Sequence, residues 1–225
     1  MSSDAVVVTA AGSSRRWAEG DKKEYALLNG RPVLSRCIEP FVEISPSLLI
    51  VVTLPRNDIP EIRELLAASI DISRIRFTAG GNSRQESVWL GLEALKPHSP
   101  RIVLIHDGAR PWIDCSLIEQ VLEGAGRWGA CIPVVDSCEA PKRVGPSGLI
   151  LEDLPRDQFK LAQTPQGFMY NRILEAHRRA RETSHLFIDD AEVYAAYCSA
   201  VFTVAGRREN IKITFKEDLP GREKS

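Results

Sequence analysis

The run Ala5–Thr9 (Ala-Val-Val-Val-Thr) restricts the fold more than any other stretch, because its β-branched residues do not alternate with polar ones. A strand of that kind is buried on both faces and belongs to a sheet covered by helices on either side. Continuous apolar runs at 48–53, 102–105 and 130–135 repeat the pattern, and 75–78 and 201–205 read as further strands. Between them lies helical spacing, first at 32–42, where Val33, Leu34, Cys37, Ile38 and Phe41 share a face behind Pro32. It recurs at 58–68, through Val88, Leu92 and Leu95, and at 116–127. Strand, helix and strand in that order predict an α/β fold around a parallel sheet. A helix at 170–183 follows, with His177, Arg178, Arg179 and Arg181 read as its solvated face, and 210–214 is read as the last strand.

The 225 residues suffice for one large α/β domain with a proper core. A formal net charge of -1 argues against a general nucleic-acid binder, which carries a basic excess. No run approaches the roughly 18 apolar residues of a membrane span, and Met1-Ser2-Ser3-Asp4 offers no basic start to a signal peptide, so a cytoplasmic protein is expected. Cys37, Cys115, Cys131, Cys138 and Cys198 are scattered without CxxC spacing, which reads as reduced packing residues, not disulfides or a zinc site.

In an open α/β sheet, ligands sit beyond the carboxyl ends of the strands. The first such end runs into Ala10, Ala11 and Gly12, small residues that let backbone N–H groups approach a ligand, and then into Arg15 and Arg16. The pattern is neither GxxxxGK[ST] nor GxGxxG, and by itself it reads equally as a strand-to-loop turn with solvated arginines. The second end carries Gly80-Gly81-Asn82, then Ser83 as a helix cap, with Arg84 and Ser87 on one face of the first turn. A plain capped helix is the competing reading. The third, His106-Asp107-Gly108-Ala109-Arg110-Pro111, puts a carboxylate where phosphates would collect, a natural Mg2+ ligand, against the alternative of a turn residue bonding its own backbone. Three such ends, near Ala10, Gly80 and Asp107, should line one crevice.

The polar segment 17–25 is either a loop that folds over a ligand or an ordinary surface loop. Residues 136–154 read as a projecting two-stranded arm, Val144 and 149–151 flanking Gly145-Pro146-Ser147-Gly148. A lone hairpin is barely stable in water, so the arm implies pairing with a second subunit. Asp189 and Asp190 open a helix at its favourable dipole end, with a second metal site as the rival reading. Lys212, between Ile211 and Ile213, points away from both if the segment is a strand, into solvent or into the crevice. The end, 220–225, reads as a frayed tail.

With these residues in view, the chain resembles the 2-C-methyl-D-erythritol 4-phosphate cytidylyltransferases of the non-mevalonate isoprenoid pathway, over nearly its whole length. The resemblance is carried by Ala10-Ala11-Gly12 with Arg16, Lys23, Gly80-Gly81 with Arg84 and Ser87, His106-Asp107 with Ala109-Arg110-Pro111, and Arg156. Thr164-Pro165-Gln166, Asp189-Asp190-Ala191 and Asn210-Ile211-Lys212 complete it. It implies a Rossmann-like, three-layer nucleotidyltransferase fold with a mixed, mostly parallel sheet, one domain over 1–225, and 136–155 as a dimerisation arm. It further implies cytidylyl transfer from CTP with Mg2+, in a homodimer with no nucleic-acid or membrane partner. Arg16, Lys23 and Lys212 would be the catalytic cations. Ala10, Ala11, Gly12, Gly81, Asn82, Arg84 and Ser87 would bind the nucleotide, with Asp107 holding the metal. Arg110, Thr164, Lys212, Ser137 and, from the partner's arm, Arg156 would bind the acceptor phosphate. Ser14, Trp17, the Lys22 and Glu24 neighbours of Lys23, an arm two residues longer, and Ile188 in place of a threonine depart from the family pattern. The departures at the arm and Ile188 fall on the acceptor side and leave ribitol 5-phosphate or another polyol phosphate as the alternative acceptor. A non-catalytic CTP-binding protein is the rival of another class.

Overall fold

The computed structural model describes residues 4–12 and 23–219. Its elements in chain order are β1 (Ala5–Thr9), β2 (Leu27–Leu28), β3 (Arg31–Pro32), α1 (Val33–Ile44), β4 (Leu49–Leu54), α2 (Ile59–Ala67), β5 (Ile75–Ala79), α3 (Arg84–Ala94) and β6 (Ile102–Asp107). Then come α4 (Cys115–Trp128), β7 (Ala130–Asp136), β8 (Lys142–Val144), β9 (Ile150–Asp153), β10 (Lys160–Ala162), β11 (Gln166–Met169), α5 (Tyr170–Ala180), α6 (Asp190–Tyr197) and β12 (Phe202–Ala205). Eight strands form one sheet, seven in the order β10-β7-β11-β6-β1-β4-β5 and β12, off this path, parallel to β7. β1 runs parallel to both β4 and β6, in the register Thr9↔Thr53 and Thr9↔Asp107.

The uninterrupted valines of β1 serve two cores at once. Val6 and Val8 pack with Leu34, Ile38 and Phe41 of α1, Ile62 and Leu66 of α2 and Leu117 and Val121 of α4. Ala5 and Val7 pack on the opposite side with Val88 and Leu92 of α3, Ile173 of α5 and Tyr194 of α6. Burying each valine fully contributes about 1.5–3 kcal/mol, so the central strand anchors both layers. The three-layer architecture and the mixed, mostly parallel sheet are as expected. The chain proceeds from β1 to β4 and β5 on one side, then returns to β6 on the other, so the strand order reverses between β1 and β6. Such a reversal opens a crevice at the carboxyl edge. No helix among the described residues is long and apolar enough to cross a membrane, and all five cysteines are free.

Three expectations need correction. Residues 166–169, to which the pattern assigns no strand ahead of the helix at 170–183, form β11, antiparallel to both β6 and β7. Because β11 is reversed, its first residue, Gln166, and the preceding Thr164 lie at the carboxyl edge of its neighbours. Residues 210–214 are not a strand: the amide of Ile213 donates to the Ala109 carbonyl at 2.8 Å, and the segment pairs with a loop. His177 is not on a solvated face but fully buried. Within 136–154 the expected two strands form the β8–β9 hairpin, with Val144, Leu149, Ile150 and Leu151 exposed.

Candidate active site

The crevice between β1 and β6 centres on Asp107, the last residue of β6 and only 6% exposed. Its Oδ1 accepts from Arg84 Nε at 3.0 Å, and its Oδ2 accepts from Lys212 Nζ at 2.8 Å and lies 3.8 Å from Arg110 Nε. Burial by itself would raise the Asp107 pKa, but the charges of Arg84, Lys212 and Arg110 outweigh it and hold the carboxyl well below the usual range. Arg84 also meets the buried Asp190 at 2.8 Å through Nη1. Burial opposes its charge, yet Asp190 and Asp107 overcome that and push its pKa up. Burial pulls the Arg110 pKa down despite Asp107, and among the described residues its Nε has the 3.8 Å ion pair with Asp107 but no hydrogen bond. Three cations thus face two carboxylates, an arrangement that attracts polyanions.

A hydrogen-bonded chain fixes this centre from below. His106 is fully buried, and desolvation lowers its pKa to about 4, so its ring is neutral at pH 7. Its Nε2 lies 3.3 Å from the Arg110 carbonyl, which can only accept, so Nε2 carries the proton. Nδ1 then accepts from the Thr164 hydroxyl at 3.0 Å, and Thr164 Oγ1 in turn accepts from the Asp107 amide at 3.1 Å. The Thr164 hydroxyl therefore clamps the 106–110 turn and spends its one donor there. Asn210 donates to the Thr164 carbonyl at 2.9 Å, and Arg110 Nη1 donates to the Asn210 carbonyl at 2.7 Å. With Asn210 held on one side and buried Ile213 on the other, Lys212 is aimed into the crevice.

The glycine loop closes the far side. The Gly80 amide donates to the Leu54 carbonyl, and a Cβ at Gly80 would lie 2.2 Å from Ala11 Cβ and 2.9 Å from Ser87 Oγ. Only glycine lets this loop touch the one after β1. Ser83 caps α3 by accepting from the Glu86 amide at 3.0 Å, as its position predicts. The Gly81 amide donates to Ser87 Oγ at 3.1 Å and the Asn82 amide to Glu86 Oε2 at 2.7 Å, so both donors expected to face a ligand are bonded within the loop. Glu86 was missed, although Ser-x-x-Glu before an apolar helix is a capping-box signature.

Ala10 is buried, Ala11 half-buried and Gly12 exposed at the crevice edge, and Lys23 is half-buried. Arg16, with Ser14, Trp17, Lys22 and most of the polar loop, lies outside the described residues. Within its own chain, Arg156 is exposed and donates to the Cys138 carbonyl at 3.1 Å, and Ser137 donates to the Glu139 carbonyl at 2.8 Å. Both therefore sit at the base of the arm. Asp189 caps α6 by accepting from the Glu192 amide at 2.9 Å. Gln166, unassigned from sequence, holds the same helix start through Asp189 Oδ2 at 2.8 Å and the Ala191 amide at 3.1 Å. Among the described residues no group of three His, Cys, Asp or Glu side chains could hold a metal. Asp107 is one hard carboxylate in a cationic crevice, which fits an ion such as Mg2+ that takes one or two carboxylates and draws its other ligands from phosphate and water.

A family model described as IspD, 2-C-methyl-D-erythritol 4-phosphate cytidylyltransferase, matches residues 5–223. A bifunctional enzyme IspD/IspF of Bradyrhizobium sp. (strain ORS 278) is 39% identical over 216 residues, covering 96% of this chain and 54% of that protein. One from Desulforudis audaxviator is 38% identical over 222 residues, covering 97% and 55%. The chain thus spans about half the length of these curated relatives. Among solved structures, the 4-diphosphocytidyl-2C-methyl-D-erythritol synthase of Anaerococcus prevotii superposes with a TM-score of 0.85 at 26% identity, covering 96% of this chain and 92% of that one. The 2-C-methyl-D-erythritol 4-phosphate cytidylyltransferase of Thermus thermophilus gives 0.76 at 31% identity, covering 96% and 94%. By sequence and by fold, the chain belongs to the IspD family of 2-C-methyl-D-erythritol 4-phosphate cytidylyltransferases.

Proposed function

We propose that this chain transfers the cytidylyl group of CTP to 2-C-methyl-D-erythritol 4-phosphate, giving 4-diphosphocytidyl-2-C-methyl-D-erythritol and pyrophosphate. The observation that carries the reading is Asp107 ringed by Arg84, Lys212 and Arg110 at the point where the strand order reverses, in a chain of this family. An oxygen of the acceptor phosphate attacks the α-phosphorus of CTP, and the bond from that phosphorus to the bridging oxygen breaks as pyrophosphate leaves. Nucleophile and leaving group are both anions, so the reaction needs no protein acid or base. The tasks left to the protein are to bring two repelling anions together and to stabilise the charge that grows on the α-phosphate oxygens.

Lys212 is supplied for this by a segment pinned on both sides, with Lys23 and, on the strength of the family motif, Arg16 as the other cations. Ala10, Ala11, Gly12, Gly81, Asn82, Ser87 and Arg84 surround the nucleotide. Mg2+, when bound, would neutralise and orient the CTP phosphates, and Asp107 would hold it. Arg110, whose buried Nε makes no hydrogen bond among the described residues, is suited to the acceptor phosphate. Thr164 acts indirectly, by holding Arg110 and Asp107 in one turn. Arg156 comes from the arm of a second copy in a homodimer, and Ser137 also serves the acceptor. We read 1–225 as one cytidylyltransferase domain with 136–155 as the dimerisation arm, working in the cytoplasm. The test is pyrophosphate release with CTP and Mg2+, comparing 2-C-methyl-D-erythritol 4-phosphate, ribitol 5-phosphate and no acceptor. Release with the first acceptor alone supports the reading. A preference for ribitol 5-phosphate moves the chain to another polyol phosphate, and CTP binding without release makes it a non-catalytic binder.

A further inference from the structure

His177 and Asp190 have no part in the proposed reaction, yet both are buried and joined, His177 Nε2 lying 3.1 Å from Asp190 Oδ1. His177 Nδ1 has no partner among the described residues. Asp190 is a carboxylate and can only accept, so Nε2 donates to it. Asp190 is itself fixed, because Gln166 holds the first turn of α6 through Asp189 and the Ala191 amide. Its other oxygen meets Arg84 Nη1 at 2.8 Å, and Arg84 Nε bonds Asp107 at 3.0 Å. A continuous line of contacts therefore runs from α5 through α6 and α3 to the carboxylate at the centre of the crevice.

We propose that the His177–Asp190 pair is a positioning device for Arg84: it holds the guanidinium at the crevice when Asp107 turns to a substrate-borne cation. Arg84 has a long side chain, and if Asp107 were its only anchor it would be released whenever that carboxylate took another partner. Asp190 supplies a second anchor that substrate does not reach, and His177 keeps the Asp190 carboxylate turned towards Arg84. His177 and Asp190 are thus positioning residues. The kinetic part of the test rests on the proposed function, and the spectroscopic part only on its CTP binding.

The experiment compares His177→Gln, which keeps an N–H donor near the place of Nε2, with His177→Leu, which removes it, each with Arg84 intact and in an Arg84→Lys background. The first readout is the Arg84 Nε–H resonance in 1H–15N spectra recorded with CTP and Mg2+, when Asp107 has another partner, and assigned by its absence from Arg84→Lys. It should persist in His177→Gln and be lost to solvent exchange in His177→Leu. The second is kcat/KM for CTP, expected to fall about 10- to 100-fold in His177→Leu, chiefly through KM, and less than about threefold in His177→Gln. In the Arg84→Lys background, His177→Leu should cost less than about threefold, because the residue it positions is gone. Equal losses in both backgrounds, an unaltered Nε–H signal, or no rescue by glutamine would overturn the proposal. Should His177→Leu fail to fold, Asp190→Asn takes its place with the same expectations. If the unmodified protein makes no pyrophosphate, the cytidylyltransferase reading fails while the Nε–H signal still decides the positioning role.

Discussion

Lys212 owes its position to its neighbours: Asn210 is tied to Thr164 and Arg110, and Ile213 is tied to Ala109. Removing only its ammonium leaves Asp107 with Arg84 and Arg110. Lys212→Ala should therefore lower kcat by about 10²- to 10³-fold, as loss of a transition-state cation does, with KM for CTP changed only a few-fold. Steady-state kinetics check this, and an unchanged kcat would remove Lys212 from the reaction. His106 makes a different prediction. Its folded-state pKa, about 4, lies below the ordinary 6.5, so between those values the unfolded chain binds the extra proton. Its contribution is complete above pH 6.5 and is lost as pH falls to 4, a change of roughly 3 kcal/mol at about 1.36 kcal/mol per pH unit. Asp107, with its carboxyl held low, acts in the opposite region: its contribution is present above about pH 4 and is lost only below it. Urea unfolding across pH 4 to 6.5 should thus show a slope that His106→Gln flattens, and an unaltered slope would contradict a neutral, buried His106.

At the scale of elements, α3 reaches β1 through Gly91, where a Cβ would lie 2.4 Å from Val7 Cγ1 and 3.2 Å from Thr53 Cγ2. Overpacking costs about 1–3 kcal/mol, and the better helix propensity of alanine returns up to about 1 kcal/mol. Gly91→Ala should therefore lower the urea midpoint at unchanged slope, and a midpoint at or above the native value would refute the tight contact. The strands of the parallel core and their helices were legible, because burial on both faces writes a continuous apolar run and amphipathic helices write a period of 3.6. β11 was not, since Gln-Gly-Phe-Met has neither pattern and is a strand only because β6 and β7 flank it. Ile-Lys-Ile at 211–213 carried the alternation of a strand, but its partner is a loop, and Ile211 is exposed while Ile213 is buried. His177 was misread for its chemistry although its spacing was informative: it lies four residues after Ile173 and seven after Tyr170, on the buried stripe of α5. At the site, the strand ends at Ala10, Gly80 and Asp107 were legible from their loops. Gln166 was not, because its role depends on backbone brought close only by the fold, whereas Glu86 was legible in its Ser-x-x-Glu spacing and was passed over.

For the whole molecule, the arm exposes Val144, Leu149, Ile150 and Leu151 on a hairpin whose charged residues, Lys142 with Asp153 and Arg143 with Glu152, pair across the strands. Its ionic needs are met internally, and its apolar side chains call for a partner. If the chain is the homodimer proposed above, replacing Leu149 and Leu151 by Asp should halve the mass found by light scattering and leave the monomer folded, and an unchanged mass would place the contact elsewhere. If Arg156 acts across the interface, mixing an Arg156→Ala chain with a Lys23→Ala chain should restore turnover that neither has alone. The measurement that bears most directly on the whole account follows oxygen from an acceptor whose phosphate carries 18O, incubated with CTP and Mg2+. Attack by that phosphate on the α-phosphorus places all of the label in the CDP-alcohol, bridging oxygen included, and none in pyrophosphate. Label in the pyrophosphate, or free CMP in place of the CDP-alcohol, would contradict a crevice built to join two phosphates around Asp107.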